Sequence, residues 1–214
     1  MKNSSSSARG ASKAGPPWRL VEARGWLMAF FCVSVPVLAG GFIFFDSFET
    51  SLHPVAGSVI FTEVMSNPAQ VNDSVGEWFE LSNVSGQTVD LGGCIVSQNA
   101  AQNALPAYAL APAGFAVVAR STNAGTNGNV IAFATFTFGL ASSGSLNLSC
   151  DGRVIDAMTW LNESQGHSLS LDPSHFNAID NDNTLLDWCF TAQASYNGTD
   201  FGTPNAGNES CAPG

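Results

Sequence analysis

A run of acidic residues in the last third of the chain could bind a metal ion. Asp180, Asp182 and Asp187, with Asn181 and Asn183 between them, supply several hard oxygen donors within one short segment. Calcium prefers carboxylate and amide oxygens, so Asp180, Asp182 and Asp187 form a candidate calcium site. The glycine and the distal glutamate of an EF-hand loop are missing, and clusters of Asp and Asn commonly build turns. A turn without metal is therefore the alternative.

No pattern in the sequence matches a common hydrolase. The G-x-S-x-G and H-E-x-x-H motifs are both absent. His53, His167 and His175 lie beside turn residues, which is typical of solvated loop histidines. Two carboxylates could still meet about 5 to 10 Å apart, as in glycosidases, but no spacing favours such a pair. The sequence therefore predicts a protein that is not an enzyme, with a secreted hydrolase of unrecognised type as the alternative.

The cysteines favour an oxidising compartment. Cys32 lies in an N-terminal apolar run, which leaves Cys94, Cys150, Cys189 and Cys211. Four cysteines suggest two disulfides with three connectivities, of which we favour Cys94–Cys150 and Cys189–Cys211. The second bridge would tie a tail rich in Gly, Pro and Asn to the last strand. No pair has the C-x₂-C spacing of a zinc site, and no cysteine has basic neighbours that would activate a thiol.

The N-terminal segment indicates export. Residues 1–24 form a basic leader that we expect to be disordered, and residues 25–45 run without a charge for long enough to span a bilayer. In one interpretation this run is a signal peptide that is cleaved after Ala39, because Pro36 and the glycines that follow make a poor continuous helix. In the other it remains as an inner-membrane anchor. Both interpretations place the rest of the chain in the periplasm, at the cell surface or in the medium, with membrane contact only through residues 25–45.

The charge distribution excludes nucleic acid as a partner. Five of the seven basic residues lie within the first 24 positions, whereas 16 of the 17 acids follow Gly25. The remainder of the chain therefore carries about −14 in charge and repels phosphate backbones.

The elements that would position these residues are short β-strands. After a linker over residues 46–56, residues 57–214 show apolar residues at alternate positions, separated by Gly, Pro, Asn and Ser clusters. This spacing predicts an all-β two-sheet sandwich, with a cysteine-stapled C-terminal tail and preceded by the signal or anchor helix. The predicted strands are 58–65, 77–82, 88–91, 93–97, 115–119, 130–138, 145–149, 153–160 and 168–171.

Two of these strands carry expectations about which side chains face the core. In the strand 77–82, Phe79 and Leu81 should face one way, and Trp78 and Glu80 the other. In the strand 130–138, Ile131 and Phe133 should share a continuous apolar side.

Glu80 is the polar residue with the clearest structural role. A carboxylate that turns into a sandwich is costly unless it accepts hydrogen bonds, and the backbone of the following turn or Asn83 could donate them. We therefore expect Glu80 and Asn83 to be structural rather than ligand-binding residues.

The order of short motifs over about residues 57–208 resembles the lamin tail domain, an immunoglobulin-like sandwich that also occurs in secreted bacterial proteins. The residues that carry the resemblance are Phe61 to Pro68, Glu77 to Asn83, Val89 to Gly93, Asp151 to Asp156, and Gly202 to Asn205. Asp156 in the late hairpin is a further structural polar position. Cys94 replaces a residue that is usually apolar or aromatic in the family, and no glycine follows Pro204.

The resemblance implies a non-enzymatic binding module of the exported bacterial type. Members of this family are often attached to nucleases, peptidases or adhesins, and no such domain is present within these residues. The rod and nuclear import signal of lamins are absent too, so no nuclear role is expected. We therefore expect an exported binding or surface-structural module that contacts a protein or glycan at the cell envelope. A further alternative is a membrane-tethered, calcium-binding adhesion module.

Overall fold

The computed structural model of the protein describes residues 52–182 and 186–211, and these fall within one compact unit, Ser47–Gly214. Helix is limited to α1 (Asp73–Gly76) and two 3₁₀ turns (Pro173–His175 and Asp180–Asp182). The strands are β1 (Val59–Met65), β2 (Trp78–Asn83), β3 (Val89–Asp90), β4 (Ile95–Gln98), β5 (Ala101–Ala104), β6 (Ala109–Leu110), β7 (Phe115–Ala119), β8 (Ala134–Thr135), β9 (Gly144–Cys150), β10 (Arg153–Trp160), β11 (Leu169–Leu171) and β12 (Trp188–Phe190).

The strands form two main sheets. One has six strands in the order β12-β11-β1-β2-β7-β8, and the other has four in the order β10-β9-β4-β5. A small third sheet pairs β3 with β6. The pairs are antiparallel except for β7 and β8, which run parallel. The described part of the chain is thus all-β, as the spacing of apolar residues predicts.

The main core lies between the six-stranded and the four-stranded sheet. Phe61 and Phe79 pack edge to face from the six-stranded sheet, and Leu146 and Leu148 enter the same apolar cluster from the four-stranded sheet. Buried apolar surface contributes about 25 cal/mol per Å², so this layer dominates the stability of the sandwich.

Strand β2 has the predicted alternation. Phe79 and Leu81 belong to the main core. Trp78 faces the other way and forms a second cluster with Met65, Val117, Ala119 and Val130. The six-stranded sheet is therefore covered on both sides, which explains why every residue of β1 and β2 is buried.

Two disulfides join parts of the chain that are distant in sequence. Cys94 and Cys150 are bonded in the main core beside β4 and β9, and Cys189 in β12 is bonded to Cys211 in the tail. This is the pairing favoured from the sequence. In the chain-entropy account the two bridges close loops of 56 and 22 residues and stabilise the fold by about 4 and about 3 kcal/mol.

The predicted strand over 130–138 is wrong. Only Ala134–Thr135 pairs as a strand, Ile131 is 66% exposed, and Phe133 is half-buried. Val130 packs in the outer cluster, whereas Phe136 packs in the main core, so the segment crosses from one layer to the other. The sequence prediction also omits β5, β6 and β12, which are only 4, 2 and 3 residues long and so too short to show alternation.

The expectations for the leader, 1–24, and for the apolar run, 25–45, lie outside the described residues. Within residues 52–182 and 186–211, no helix is both long and apolar enough to cross a membrane. The end of the predicted linker is described, and Leu52 makes an isolated parallel bridge with Val89 of β3.

Candidate functional site

A groove lies at one end of the four-stranded sheet, where β4 and β10 end and β9 begins. We call it the end groove. Its cavity volume is about 590 Å³. Asn99 follows β4 with φ 53°, a left-handed conformation that asparagine tolerates and that turns the chain sharply into β5. The lining consists of Gln98, Asn99, Gly139, Ala141, Ser143, Gly144, Ser145, Thr159, Trp160 and Leu161.

Gly144 and Trp160 shape the floor of the end groove. A Cβ on Gly144 would lie 2.7 Å from Nε2 of Gln98 and 2.7 Å from the Trp160 ring, so the position requires glycine. The indole Nε1 of Trp160 donates to the carbonyl oxygen of Ala141 at 2.9 Å, which fixes the loop that closes the groove. The walls are therefore set by packing and hydrogen bonding rather than by free loops.

The lining of the end groove contains no Asp, Glu, His, Lys, Arg, Cys or Tyr. General acid–base catalysis needs a titratable group within hydrogen-bond reach of the substrate. The serine hydroxyls of the lining have no histidine among the lining residues that could activate them. The chemistry available here is hydrogen bonding from amides and hydroxyls, with apolar contact from Leu161, which is 61% exposed.

Glu77 is the nearest buried acid, and it lies behind the groove wall. A Cβ on Gly139 would lie 3.9 Å from both carboxylate oxygens of Glu77. Burial raises the pKa of Glu77 to about 7, while the backbone of Leu140 and the guanidinium of Arg120 act to lower it. Arg120 Nε is 3.9 Å from Oε2 of Glu77. Because the side chain of Glu77 is 4% exposed, it does not contact the groove space.

Glu80 pairs across β1 and β2 with a second acid, Glu63, and both are fully buried. Glu80 accepts hydrogen bonds from Oγ1 of Thr62 at 2.9 Å and from the backbone N–H of Asn205 at 2.6 Å. The expected donors, Asn83 and the turn after β2, are therefore wrong. The donors come instead from β1 and from the C-terminal tail.

Glu63 is held by the tail and by β11. It accepts from the backbone N–H of Thr203 at 2.9 Å, from Oγ1 of Thr203 at 3.0 Å, and from the hydroxyls of Ser168 and Ser170. Burial raises the pKa of both Glu63 and Glu80, and the charge of Glu63 raises the pKa of Glu80 further. We call these two acids and their donors the acid clasp.

Asn83 and Asp156 each join separate segments. Nδ2 of Asn83 donates to the carbonyl oxygens of Gln87 and Leu110 at 2.8 and 2.9 Å. Asp156 accepts from the backbone N–H of Phe61 at 2.8 Å and from Nδ2 of Asn181 at 2.7 Å. Burial raises the pKa of Asp156 to about 7. Neither residue lines the end groove.

The candidate calcium ligands do not all meet. Asp180 and Asp187 lie with His175, whose Nδ1 is 3.0 Å from Oδ2 of Asp180 and 3.6 Å from Oδ1 of Asp187. Asp182 lines a different cavity beside β9 and β10. Calcium takes six to eight oxygen ligands, whereas this cluster offers two carboxylates and an imidazole. The calcium site stays a prediction, and the observed contacts are those of a histidine paired with two acids.

Sequence reasoning missed Glu63, Glu77 and the end groove. A signal for Glu63 exists, because an acid within the otherwise apolar stretch VIFTEVM must be buried with donors. The small-residue segment from Gly139 to Gly144 gives only a weak signal for a groove. Glu77 is buried only because Arg120 and the segment at Leu140 fold over it, and no local pattern predicts that.

The described residues thus form an all-β sandwich with two disulfides and an uncharged groove at one end of the smaller main sheet. The family model described as Lamin Tail Domain matches residues 53–162, just over half of the chain. The chain belongs to the lamin tail domain family, whose immunoglobulin-like domains generally act as non-catalytic interaction modules. No curated protein and no solved structure matches the chain.

Proposed function

We propose that this protein is an exported, non-catalytic lamin tail domain protein that binds a protein or glycan of the cell envelope in its end groove. The observation that carries the proposal is the lining of that groove, which is rich in hydrogen-bonding groups and has no titratable side chain. Such a lining can hold a partner but supplies no acid, base or activated nucleophile.

Two features support export. Two disulfides are present, and disulfides persist in oxidising compartments. The uncharged run 25–45 follows a basic leader, as in signal peptides and membrane anchors. Mass spectrometry of the mature N-terminus distinguishes a cleaved signal peptide from a retained anchor.

A hydrolase function has less support from the structure than a binding function. The acids with a pKa raised to about 7 are Glu77 and Asp156. Glu77 lies behind Gly139, and Asp156 is 5% exposed and bonded to Phe61 and Asn181. Neither carboxyl can reach a substrate held in the end groove without a rearrangement of the core.

The test is saturable binding of the labelled full-length mature protein to isolated cell envelopes of its host. Ser143→Phe fills the end groove and should weaken binding about tenfold, a loss of about 1.4 kcal/mol. Ser142→Phe is the matched control, because Ser142 is exposed in the same loop but does not line the groove. Absence of saturable binding, or equal affinity of the two variants, would overturn the proposal.

A further inference from the structure

Glu77 and Arg120 hold one wall of the end groove from behind. We call these two residues the wall pair. Gly139 lines the groove, and the peptide units on its two sides each bond to one member of the pair. The carbonyl oxygen of Phe138 accepts a hydrogen bond from Arg120. The backbone of Leu140 donates one to Glu77. The position of Gly139 therefore depends on the wall pair, although neither side chain of the pair lines the groove.

The backbone at Gly139 can turn without disturbing the main core. Phe136 and Leu140 pack in that core on either side of it. Between them the backbone of Phe138 and Gly139 belongs to no strand. Glycine also has no side chain that would restrict its dihedral angles. A change in the wall pair can therefore rotate these two peptide units while the flanking side chains stay in place.

One oxygen of the wall pair is buried without a partner. Among the described residues, no donor bonds to Oε2 of Glu77. Nε of Arg120 is 3.9 Å from this oxygen, which is too far for a hydrogen bond. Arg120 donates instead to the carbonyl oxygens of Phe138 and Ser74. This arrangement suits a protonated Glu77, because a charged carboxylate with a bare buried oxygen is costly.

Loss of the proton from Glu77 would change the acceptor that Arg120 prefers. A hydrogen bond from a guanidinium to a carboxylate is stronger than one to a neutral carbonyl. The guanidinium of Arg120 already lies near Oε2, so it can turn to that oxygen and leave the carbonyl of Phe138. The peptide unit between Phe138 and Gly139 then loses its donor. The wall of the end groove is held at two points in the first state and at one in the second.

The charges around Glu77 set the pH at which this change occurs. Burial is the largest influence and raises the pKa of Glu77 to about 7. Asp73 of α1 and Glu163, which follows β10, raise this pKa as well, whereas Arg120 and the backbone of Leu140 lower it. The two forms of the carboxyl are therefore equally populated near neutral pH.

We propose that the wall pair is a pH switch for the end groove, which binds its partner when Arg120 holds Phe138 and releases it when Arg120 turns to Glu77. The inference rests on the proposed function and names how that site is regulated. A wall that is fixed before binding costs less to order, so the partner favours the protonated form. The apparent dissociation constant equals the intrinsic one divided by the fraction of the binding form. With a pKa of about 7 for Glu77, affinity should fall about tenfold from pH 6 to pH 8.

Saturable binding of the labelled full-length mature protein to isolated cell envelopes, measured at pH 6 and at pH 8, tests the inference. Glu77→Gln keeps the shape of the side chain and stays neutral. This variant should bind at both pH values as tightly as the wild type binds at pH 6. Asp156→Asn is the matched control, because Asp156 is a second buried acid with a pKa of about 7 and does not line the groove. It should keep the tenfold pH dependence of the wild type.

Proton NMR of the wild-type mature protein follows the switch without a variant. The Nε–H of Arg120 donates to the carbonyl oxygen of Ser74 at 3.4 Å, and the indole Nε1–H of Trp160 donates to that of Ala141 at 2.9 Å. Both resonances should shift with a midpoint near pH 7, because Arg120 turns and the wall beside Ala141 moves. In Glu77→Gln both should stay fixed between pH 6 and pH 8.

Each outcome decides the inference. A tenfold loss of envelope binding at pH 8 in the wild type and in Asp156→Asn, but not in Glu77→Gln, supports it. Equal affinity of the wild type at the two pH values overturns the switch and leaves the proposed function standing. An equal loss in Glu77→Gln assigns the pH dependence to another group and also overturns the switch. Arg120 and Trp160 resonances that do not titrate in the wild type have the same consequence. Absence of saturable binding at both pH values overturns the proposed function as well.

Discussion

The outer faces of the two sheets differ in charge and in cover. The six-stranded sheet carries Glu63 and Glu80 on its outer side, and the C-terminal tail covers them and donates to their carboxylates. The four-stranded sheet carries hydroxyls and amides on its outer side, and these include the exposed Ser145 and Thr159. The outer side of the six-stranded sheet thus carries two acids that a polypeptide segment seals, whereas the outer side of the four-stranded sheet is uncharged and open.

This difference shows that polar side chains on the outer faces of the two sheets have different physical roles. A buried acid is costly unless its oxygens accept hydrogen bonds, so each acid of the clasp fixes where the tail must lie. An open face has no such cost, because water bonds to polar groups that no partner covers. The first face specifies the fold, and the second is free to bind. The predictions below test that separation.

Removal of the disulfides should give the largest loss of stability. Cys94→Ala/Cys150→Ala should lower the free energy of unfolding by about 4 kcal/mol, and Cys189→Ala/Cys211→Ala by about 3 kcal/mol, because the first bridge closes the longer loop. Chemical denaturation of the two double variants measures both values. A larger loss from Cys189→Ala/Cys211→Ala would mean that this bridge also holds the tail on the acid clasp.

Substitution of the acid clasp should cost more than substitution of the open face. Glu63→Ala leaves the hydroxyls of Ser168 and Ser170 and the backbone of Thr203 without their acceptor, which should destabilise the protein by about 3 kcal/mol. Asn147→Ala, on the outer face of the four-stranded sheet, should change stability by less than about 0.5 kcal/mol. Urea unfolding curves of the two variants make the comparison, and equal losses would contradict the separation of roles.

A side chain at Gly144 should disturb the end groove. Gly144→Ala places a Cβ within contact distance of Gln98 and Trp160, and this overpacking should cost about 2 kcal/mol. Gly86→Ala is the control, because a Cβ there meets nothing within 4 Å and its φ is not positive. Thermal unfolding of both variants is the measurement. A similar melting temperature for the two would show that the wall of the groove is loosely packed.

Stability should rise as the pH falls from about 7 to about 4. The pKa values of Glu77 and Asp156 are raised to about 7 in the folded protein, whereas unfolded acids titrate near 4. The folded state therefore binds more protons in this window, and proton binding stabilises it. The melting temperature should be higher at pH 5 than at pH 8, and Asp156→Asn should reduce the difference. Ser142→Ala, at an exposed position without a titratable side chain, should leave it unchanged.

The layers of the fold could be predicted from the sequence because they depend on local patterns. Alternation in β2 assigns Phe79 and Trp78 to opposite sides, and an even number of cysteines outside the apolar run predicts two bridges. The segment 130–138 has the same alternation but crosses between two apolar clusters. Alternation of apolar residues indicates which side chains are buried, but it does not show that the segment pairs with another strand. The sequence pattern therefore predicts a strand over 130–138 where only Ala134–Thr135 is one.

The sites could not be predicted, because their partners are far apart in the sequence. The backbone donor of Glu80 is Asn205, which lies 125 positions away, and Thr203 lies 140 positions from Glu63. The end groove combines the ends of β4, β9 and β10, and its lining is ordinary Ser, Gly, Asn and Gln. Ser, Gly, Asn and Gln are common throughout this sequence, so nothing in it distinguishes the residues that line the end groove from the others.

The position of the acid clasp also sets when the sandwich can be completed during synthesis. Gly202 approaches so closely that a Cβ there would lie 3.0 Å from Oε1 of Glu63, and the following residues supply donors to strands made some 120 to 140 residues earlier. A chain whose residues 202–205 have not yet reached the sheet leaves both carboxyls without these donors. This short segment therefore decides when β1 and β2 become stable.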